Sequence, residues 1–172
     1  YGVEFEFRKN LAFLSPALKP LMINGNITLV ESQIDMTEGE YQSRLNYQRE
    51  GQEVKDTRQM AGQSPYVING GITYTNNKAG LNAGVFYNVK GKTLSVVGIG
   101  LQPNVYIHPY HSLSFSINKS FGKENNATVD LKVSNVLGSA KESYFHSYKA
   151  DPRIYSSVNP GTSFSLGFGY KF

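Results

Sequence analysis

The chain has 172 residues, 40% hydrophobic, 13% aromatic and only 17% charged, whereas a soluble domain typically carries about 25% charged residues. It contains no cysteine, which excludes a disulfide scaffold, thiolate metal sites and a cysteine nucleophile. The net charge is +4, but Lys and Arg are scattered singly or in pairs such as Arg8-Lys9, which excludes a clustered nucleic-acid face.

The dominant signal is period-two alternation in segments of about ten residues, separated by turn chemistry. In 2–10, Val3, Phe5 and Phe7 oppose Glu4, Glu6 and Arg8. In 20–35, Leu21, Ile23, Ile27 and Leu29 oppose Asn24, Asn26 and Thr28. In 66–76, Tyr66, Ile68, Ile72 and Tyr74 oppose Val67, Asn69, Gly71, Thr73 and Thr75. In 81–90, Leu81, Ala83, Val85, Tyr87 and Val89 oppose Asn82, Gly84, Phe86, Asn88 and Lys90. In 112–121, Leu113, Phe115, Ile117 and Phe121 oppose Ser and Asn, with Lys119 interrupting the apolar face. In 127–134, Ala127, Val129, Leu131 and Val133 oppose Thr128, Asp130, Lys132 and Ser134. In 163–172, Phe164, Leu166, Phe168, Tyr170 and Phe172 oppose Ser163, Ser165, Gly167, Gly169 and Lys171. These segments predict seven strands. Asn24-Gly25 and Asn69-Gly70 have hairpin-turn composition, but the apolar phase runs through both, so they are read as strand interiors.

The connections alternate in length. Residues 77–79 and 122–125 are tight polar turns, 11–19 is intermediate, and 36–63, 91–109 and 137–160 are long, polar and rich in Tyr, without helical periodicity. Long irregular loops are uncommon in a compact soluble domain. Alternating short turns and long loops are the pattern of a membrane β-barrel. The faces agree with that pattern. The polar face is mostly Ser, Thr, Asn and Gly, which suits a wet lumen. The apolar face ends in aromatics near the predicted turns, Phe7, Tyr74, Phe121, Tyr170 and Phe172, as an interfacial aromatic girdle does. The longest mostly apolar run, Leu94 to Leu101, is far shorter than the ~20 residues of a spanning helix. No signal peptide is recognised. The start at Tyr1 is read as that of a mature product or of a piece of a longer chain.

Few constellations carry chemistry. His108 and His111 flank Pro109, which excludes a helix interior, and no third ligand is near in sequence, so no metal site is expected. His146 lies on a long loop with nothing to single it out. Glu4 and Glu6 share one strand face about 7 Å apart and are read as lumen-wall charges rather than an acid/base pair. No nucleotide loop, nucleophile elbow or metalloprotease motif is present. Eight of the twelve tyrosines lie in or beside the long connections. Besides Tyr66, these are Tyr41, Tyr47, Tyr106, Tyr110, Tyr144, Tyr148 and Tyr155, and those seven are the candidate ligand-binding loop residues. Tyr supplies a flat apolar body and a hydroxyl at low entropy cost. Packing of loops on one another explains many of them equally well.

Three stretches carry a resemblance. They are Gly2-Val3-Glu4-Phe5-Glu6-Phe7-Arg8-Lys9-Asn10-Leu11 with Leu29 to Ile34; Arg58-Gln59-Met60-Ala61-Gly62-Gln63-Ser64-Pro65-Tyr66-Val67-Ile68-Asn69; and Gly161 to Phe172. Leu131 to Gly138 adds a fourth. Their order resembles the C-terminal barrel region of TonB-dependent outer-membrane receptors, in the form common in Bacteroidetes. The resemblance implies an all-β fold, an antiparallel transmembrane β-barrel of which 1–172 supplies the C-terminal seven of about 22 strands, with the plug domain and earlier strands absent. It implies part of a transporter in the outer membrane of a Gram-negative bacterium, importing a scarce nutrient, with no catalysis and no cofactor. The implied partners are the missing N-terminal part of the same receptor, the TonB–ExbB–ExbD system, the barrel-assembly machinery, outer-membrane lipid and a surface lipoprotein, with no nucleic acid. By the same resemblance Phe164, Phe168, Tyr170 and Phe172 form the assembly signal. The alternatives are a small passive or structural outer-membrane barrel and a soluble carbohydrate-binding β-sandwich.

Overall fold

The structure is a computed structural model and describes residues 1–122 and 125–172. In chain order its strands are β1 (Gly2–Asn10), β2 (Leu21–Val30), β3 (Ile34–Asp35), β4 (Thr57–Arg58), β5 (Tyr66–Asn76), β6 (Leu81–Lys90), β7 (Thr93–Val96), β8 (Asn104–Ile107), β9 (Tyr110–Phe121), β10 (Ala127–Ser134), β11 (Lys141–His146), β12 (Arg153–Val158) and β13 (Ser163–Tyr170). One helix, α1 (Glu38–Asn46), lies between β3 and β4. Among the described residues no helix is long and apolar enough to cross a membrane.

The seven segments with period-two alternation form one antiparallel sheet in the order β1-β2-β5-β6-β9-β10-β13. Each strand has 8 to 12 residues. The register carries a single apolar face through all seven. Phe5 stands opposite Ile27, Ile27 opposite Ile68, and Ile68 opposite Val89. Further on, Val85 stands opposite Phe115, Phe115 opposite Val133, and Val133 opposite Phe164. Directly opposed residues share a face, so the alternation of each strand is also the alternation of the sheet. Asn24-Gly25 and Asn69-Gly70 are strand interiors, with Gly25 opposite Gly70. The Phe7 ring lies over Gly25, where an added Cβ would stand 2.8 Å from it.

The other face is bound together by side-chain amides. Asn26 donates to Glu4 (3.1 Å), Asn69 donates to Asn26 (2.6 Å) and Asn88 donates to Asn69, a chain across four strands. Asn118 donates to Asp130 at 2.6 Å. A hollow of about 540 Å³ lies against Thr73, Asn82, Ser116, Asp130, Lys132 and Ser165 of neighbouring strands. Lys119, which breaks the apolar face, reaches back to the Ala79 carbonyl at the nearby short turn; long cations commonly bend their heads away from apolar surface in this way.

β1 and β13 are the two edges of this sheet and do not pair with each other, so the sheet is open. On its apolar face Val89 and Ala127 are buried, but most of the large side chains are not. Phe164, Leu166 and Phe168 are 74%, 77% and 71% exposed. The accessible surface is 11820 Å², against about 8,400 Å² for a compact monomer of this mass.

Three sequence expectations are corrected. The segment 20–35 ends as a strand at Val30, and Ile34–Asp35 pairs separately with Thr57–Arg58. The last ladder ends at Tyr170, so Phe172 lies one turn of pleat beyond it, its ring edge-on to Tyr170 at 5.1 Å. The long connections are not irregular: they hold α1 and a second, four-stranded sheet in the order β12-β11-β8-β7. The short turn at 77–80 is as expected, with Asn76 Oδ1 accepting from Ala79 N at 3.0 Å. In the turn at 122–125, Lys123 and Glu124 lie outside the described residues.

The second sheet repeats the strand order of the first. β7, β8, β11 and β12 continue β6, β9, β10 and β13 beyond a break in each strand. The breaks have local causes. Gly91 stands between β6 and β7, and Pro109, which has no donor, stands between β8 and β9. Asn135 adopts φ 54° after β10, and Gly161 adopts φ 67° before β13. Buried Asn135 clamps the last two breaks together. Its Nδ2 donates to the Ser139 and Gly161 carbonyls at 3.1 and 3.0 Å, and its own carbonyl accepts from Thr162 Oγ1 at 3.0 Å. The buried core of the chain lies just past the first break, where Leu94 is 1% and Val105 2% exposed.

Candidate functional site

The parity of the strands puts all three long connections at one end of the main sheet. There they build a pocket of about 430 Å³. Helix α1 forms one wall. Thr37 caps it, its hydroxyl accepting from Glu40 N at 3.3 Å, the N-cap geometry that starts many helices. The helix is anchored by its polar side. Ser43 accepts from Gly100 N at 2.9 Å, and Arg44 donates to Asn104 Oδ1 at 3.2 Å. Asn104 in turn accepts from Gly98 N at 2.9 Å, which holds the β7–β8 loop in place.

One carboxylate serves two guanidinium groups. Glu40 Oε1 accepts from Arg58 Nε at 2.7 Å and from Arg44 at 3.3 Å. Arg44 Nε is buried and has no acceptor. The segment after α1 closes the pocket, pinned where Tyr148 donates to the Gly51 carbonyl. Arg49, Lys55 and Glu53 line it from this segment. Among the described residues, only Glu40 forms ion pairs.

Of the seven candidate tyrosines, Tyr47, Tyr106 and Tyr148 line this pocket, together with His146. The other four are elsewhere. Tyr41 is on α1, and Tyr110 opens β9 under Lys141 at 5.3 Å. Tyr144 stacks on His108 at 4.1 Å, and Tyr155 meets Phe145 edge-on at 5.0 Å. Sequence reasoning missed Arg44, Arg49 and Arg58. Only the Thr37-to-Glu40 spacing, a helix-start signal, could have pointed to the wall that carries Arg44.

Beside the pocket the second sheet gathers a titratable cluster. His108 Nε2 and His146 Nε2 are 3.2 Å apart, and Lys92 Nζ is 3.2 Å from His146 Nδ1. Lys92 lies over the Tyr106 ring at 4.5 Å. A Lys donating to Nδ1 leaves the His146 proton on Nε2, facing His108. Burial, then the positive charge of Lys92 and then His108, push the His146 imidazolium below its ordinary range. Burial also lowers Lys92. Tyr144 is raised by its 2.7 Å hydrogen bond to Glu142. His111, considered above with His108, instead meets the Tyr87 hydroxyl at 2.6 Å. Among the described residues no three His, Cys, Asp or Glu side chains come together to hold a metal ion.

The residues read as an assembly signal share one face of β13 and its end. Phe164, Phe168 and Tyr170 are exposed in the strand, and Phe172 follows it.

Comparison with protein families, with curated proteins and with solved structures finds no match for this chain.

Proposed function

We propose that this chain forms the C-terminal part of the wall of a β-barrel transporter in the outer membrane of a Gram-negative bacterium, with its long connections outside the cell. The carrying observation is the apolar face that continues through all seven strands, interrupted at Lys119, and that leaves Phe5, Ile72, Val85, Phe164, Leu166 and Phe168 exposed. Water would not tolerate a patch of that extent on a monomer; lipid would. Strands of 8 to 12 residues match the ~9–11 that cross a bilayer. A polar side rich in Ser, Thr, Asn and Gly, joined by amide hydrogen bonds, supports a wet lumen. An open sheet in lipid would leave two rows of unpaired backbone groups, each costing several kcal/mol. We therefore assign β1 and β13 to pairing with further strands of the same receptor, closing a barrel of about 22 strands.

The TonB-dependent part of the reading rests on the resemblance of 2–11, 58–69 and 161–172. In that reading a plug gates the barrel, TonB–ExbB–ExbD drives it, and the barrel-assembly machinery recognises Phe164, Phe168, Tyr170 and Phe172. The role is binding and passage of a scarce nutrient, without catalysis. The test is to express the full receptor polypeptide and ask three things: whether it needs detergent for extraction, whether it migrates faster unheated than boiled, and whether TonB co-purifies with it. Detergent-dependent, heat-modifiable, TonB-bound protein is expected. Extraction without detergent overturns the membrane reading. A heat-modifiable barrel that never binds TonB overturns the transporter reading in favour of a passive barrel.

A further inference from the structure

We propose that the pocket between α1, the segment 47–59 and the β7–β8 loop binds a small anionic ligand with a ring face, a carboxylated or phosphorylated sugar. The inference deepens the receptor reading by naming a ligand class, and it rests on that reading only for the pocket facing outward.

Charge is the first ground. Arg44, Arg49, Lys55 and Arg58 line the pocket, against Glu53 and the shared Glu40. The site thus holds a surplus of two positive charges, in a protein whose net charge is only +4. The second ground is donor type: three of the four cations are Arg, and Arg forks match carboxylate and phosphate oxygens in pairs. The third ground is shape. About 430 Å³ falls within the range of small-ligand sites, and Tyr47, Tyr106 and Tyr148 offer flat faces for a sugar ring. Arg44 and Arg58 are held by Glu40, which orients them. Arg49 and Lys55 carry no carboxylate partner among the described residues and are exposed, so they are the side chains most available to a ligand.

The experiment uses the full receptor in detergent and measures binding directly by calorimetry, so it depends on neither TonB nor transport. The probes are glucuronate, glucose 6-phosphate and glucose. The two anions should bind, with glucose about tenfold weaker or more, the loss expected for one charge-assisted contact. R49Q/K55Q should weaken the anions by about tenfold and leave glucose unchanged, while E53Q should strengthen them. Unheated gel migration of each variant reports that the barrel is intact. Equal binding of glucose and glucuronate overturns the proposal. So does undiminished anion binding by an intact R49Q/K55Q variant, or no binding of either anion. Failure here with TonB still bound would leave the transporter reading standing.

Discussion

The two sheets are built from the same strands continued past a break, yet only the second buries large side chains almost completely, at Leu94 and Val105, while its edge strand β12 stays exposed throughout. In the seven-stranded sheet Leu166 on β13 is 77% exposed; in the four-stranded sheet Leu94 on β7 is 1% exposed. The difference follows from what each sheet faces. Gly62, near the end of the first long connection, folds against β7, and Ser64 just after it against the break before β7. Gly62 N donates to the Leu94 carbonyl at 2.8 Å, and Ser64 Oγ donates to the Gly91 carbonyl at 3.1 Å. Those contacts close the β7 side of the sheet, while β12 at its other edge is exposed. Apart from Val89 and Ala127, the apolar side of the main sheet has no such cover. Breaking the core of one should not touch the other, and that independence is the sharpest consequence of the comparison.

Leu94→Ala removes the best-buried side chain and should destabilise the second sheet by about 2–5 kcal/mol. Hydrogen exchange should quicken in β7 and β8 while the heat-modifiable fraction stays unchanged. Leu131→Arg or Phe168→Arg should do the reverse. Arg near a bilayer midplane costs about 2–4 kcal/mol, so the inserted fraction should fall. Thr128→Arg or Ser165→Arg, on the polar face, should be mild. Equal losses from the two sets would show that the faces are not differently solvated.

The joint between the sheets gives a smaller effect. Asn135→Ala deletes the donors to Ser139 and Gly161 from a buried position and should cost about 1–3 kcal/mol. Proteolysis of intact cells should then cut near 135–140 more readily. Smallest is a pH effect. The folded His146 binds its proton less readily than the ordinary 6.5, because burial, Lys92 and His108 all oppose the imidazolium. Between that lowered value and 6.5 the opened state holds more protons, so stability falls with pH there. The second sheet should be fully stable above pH ~6.5 and loosen progressively on acidification. Exchange rates of β8 and β11 amides against pH report this, and His146→Gln should flatten the dependence.

The seven main strands were legible because most residue pairs there keep apolar side chains on one face and polar ones on the other; Lys119 and Phe86 are exceptions, and even Gly25 and Gly70, which look like turn residues, keep the phase. The second sheet was not legible for a physical reason. Its strands are four to six residues long, β7 and β11 carry register shifts at Leu94/Val96 and Ser143/Tyr144, and a shift resets a period-two pattern. Helix α1 has no apolar stripe to read because polar contacts through Ser43 and Arg44 dock it. In the pocket, Tyr47, Tyr106 and Tyr148 were found from composition. The arginines were not, since Arg44 and Arg58 meet only through the Glu40 carboxylate between them. His108 and His146 are 38 residues apart, and only the β8–β11 pairing joins them.

The central claim is that the apolar face of the main sheet lies against lipid. The chain has no native cysteine, so in a full receptor with any cysteines outside residues 1–172 replaced, single cysteines placed along 163–170 and 127–134 can each carry a nitroxide label after reconstitution into bilayers. Collision with oxygen, which concentrates in lipid, and with a water-soluble nickel chelate can then be compared at every position. The account predicts oxygen maxima at 164, 166 and 168 and at 129, 131 and 133, with minima at the residues between. An absence of period-two alternation, or the opposite phase, would contradict it.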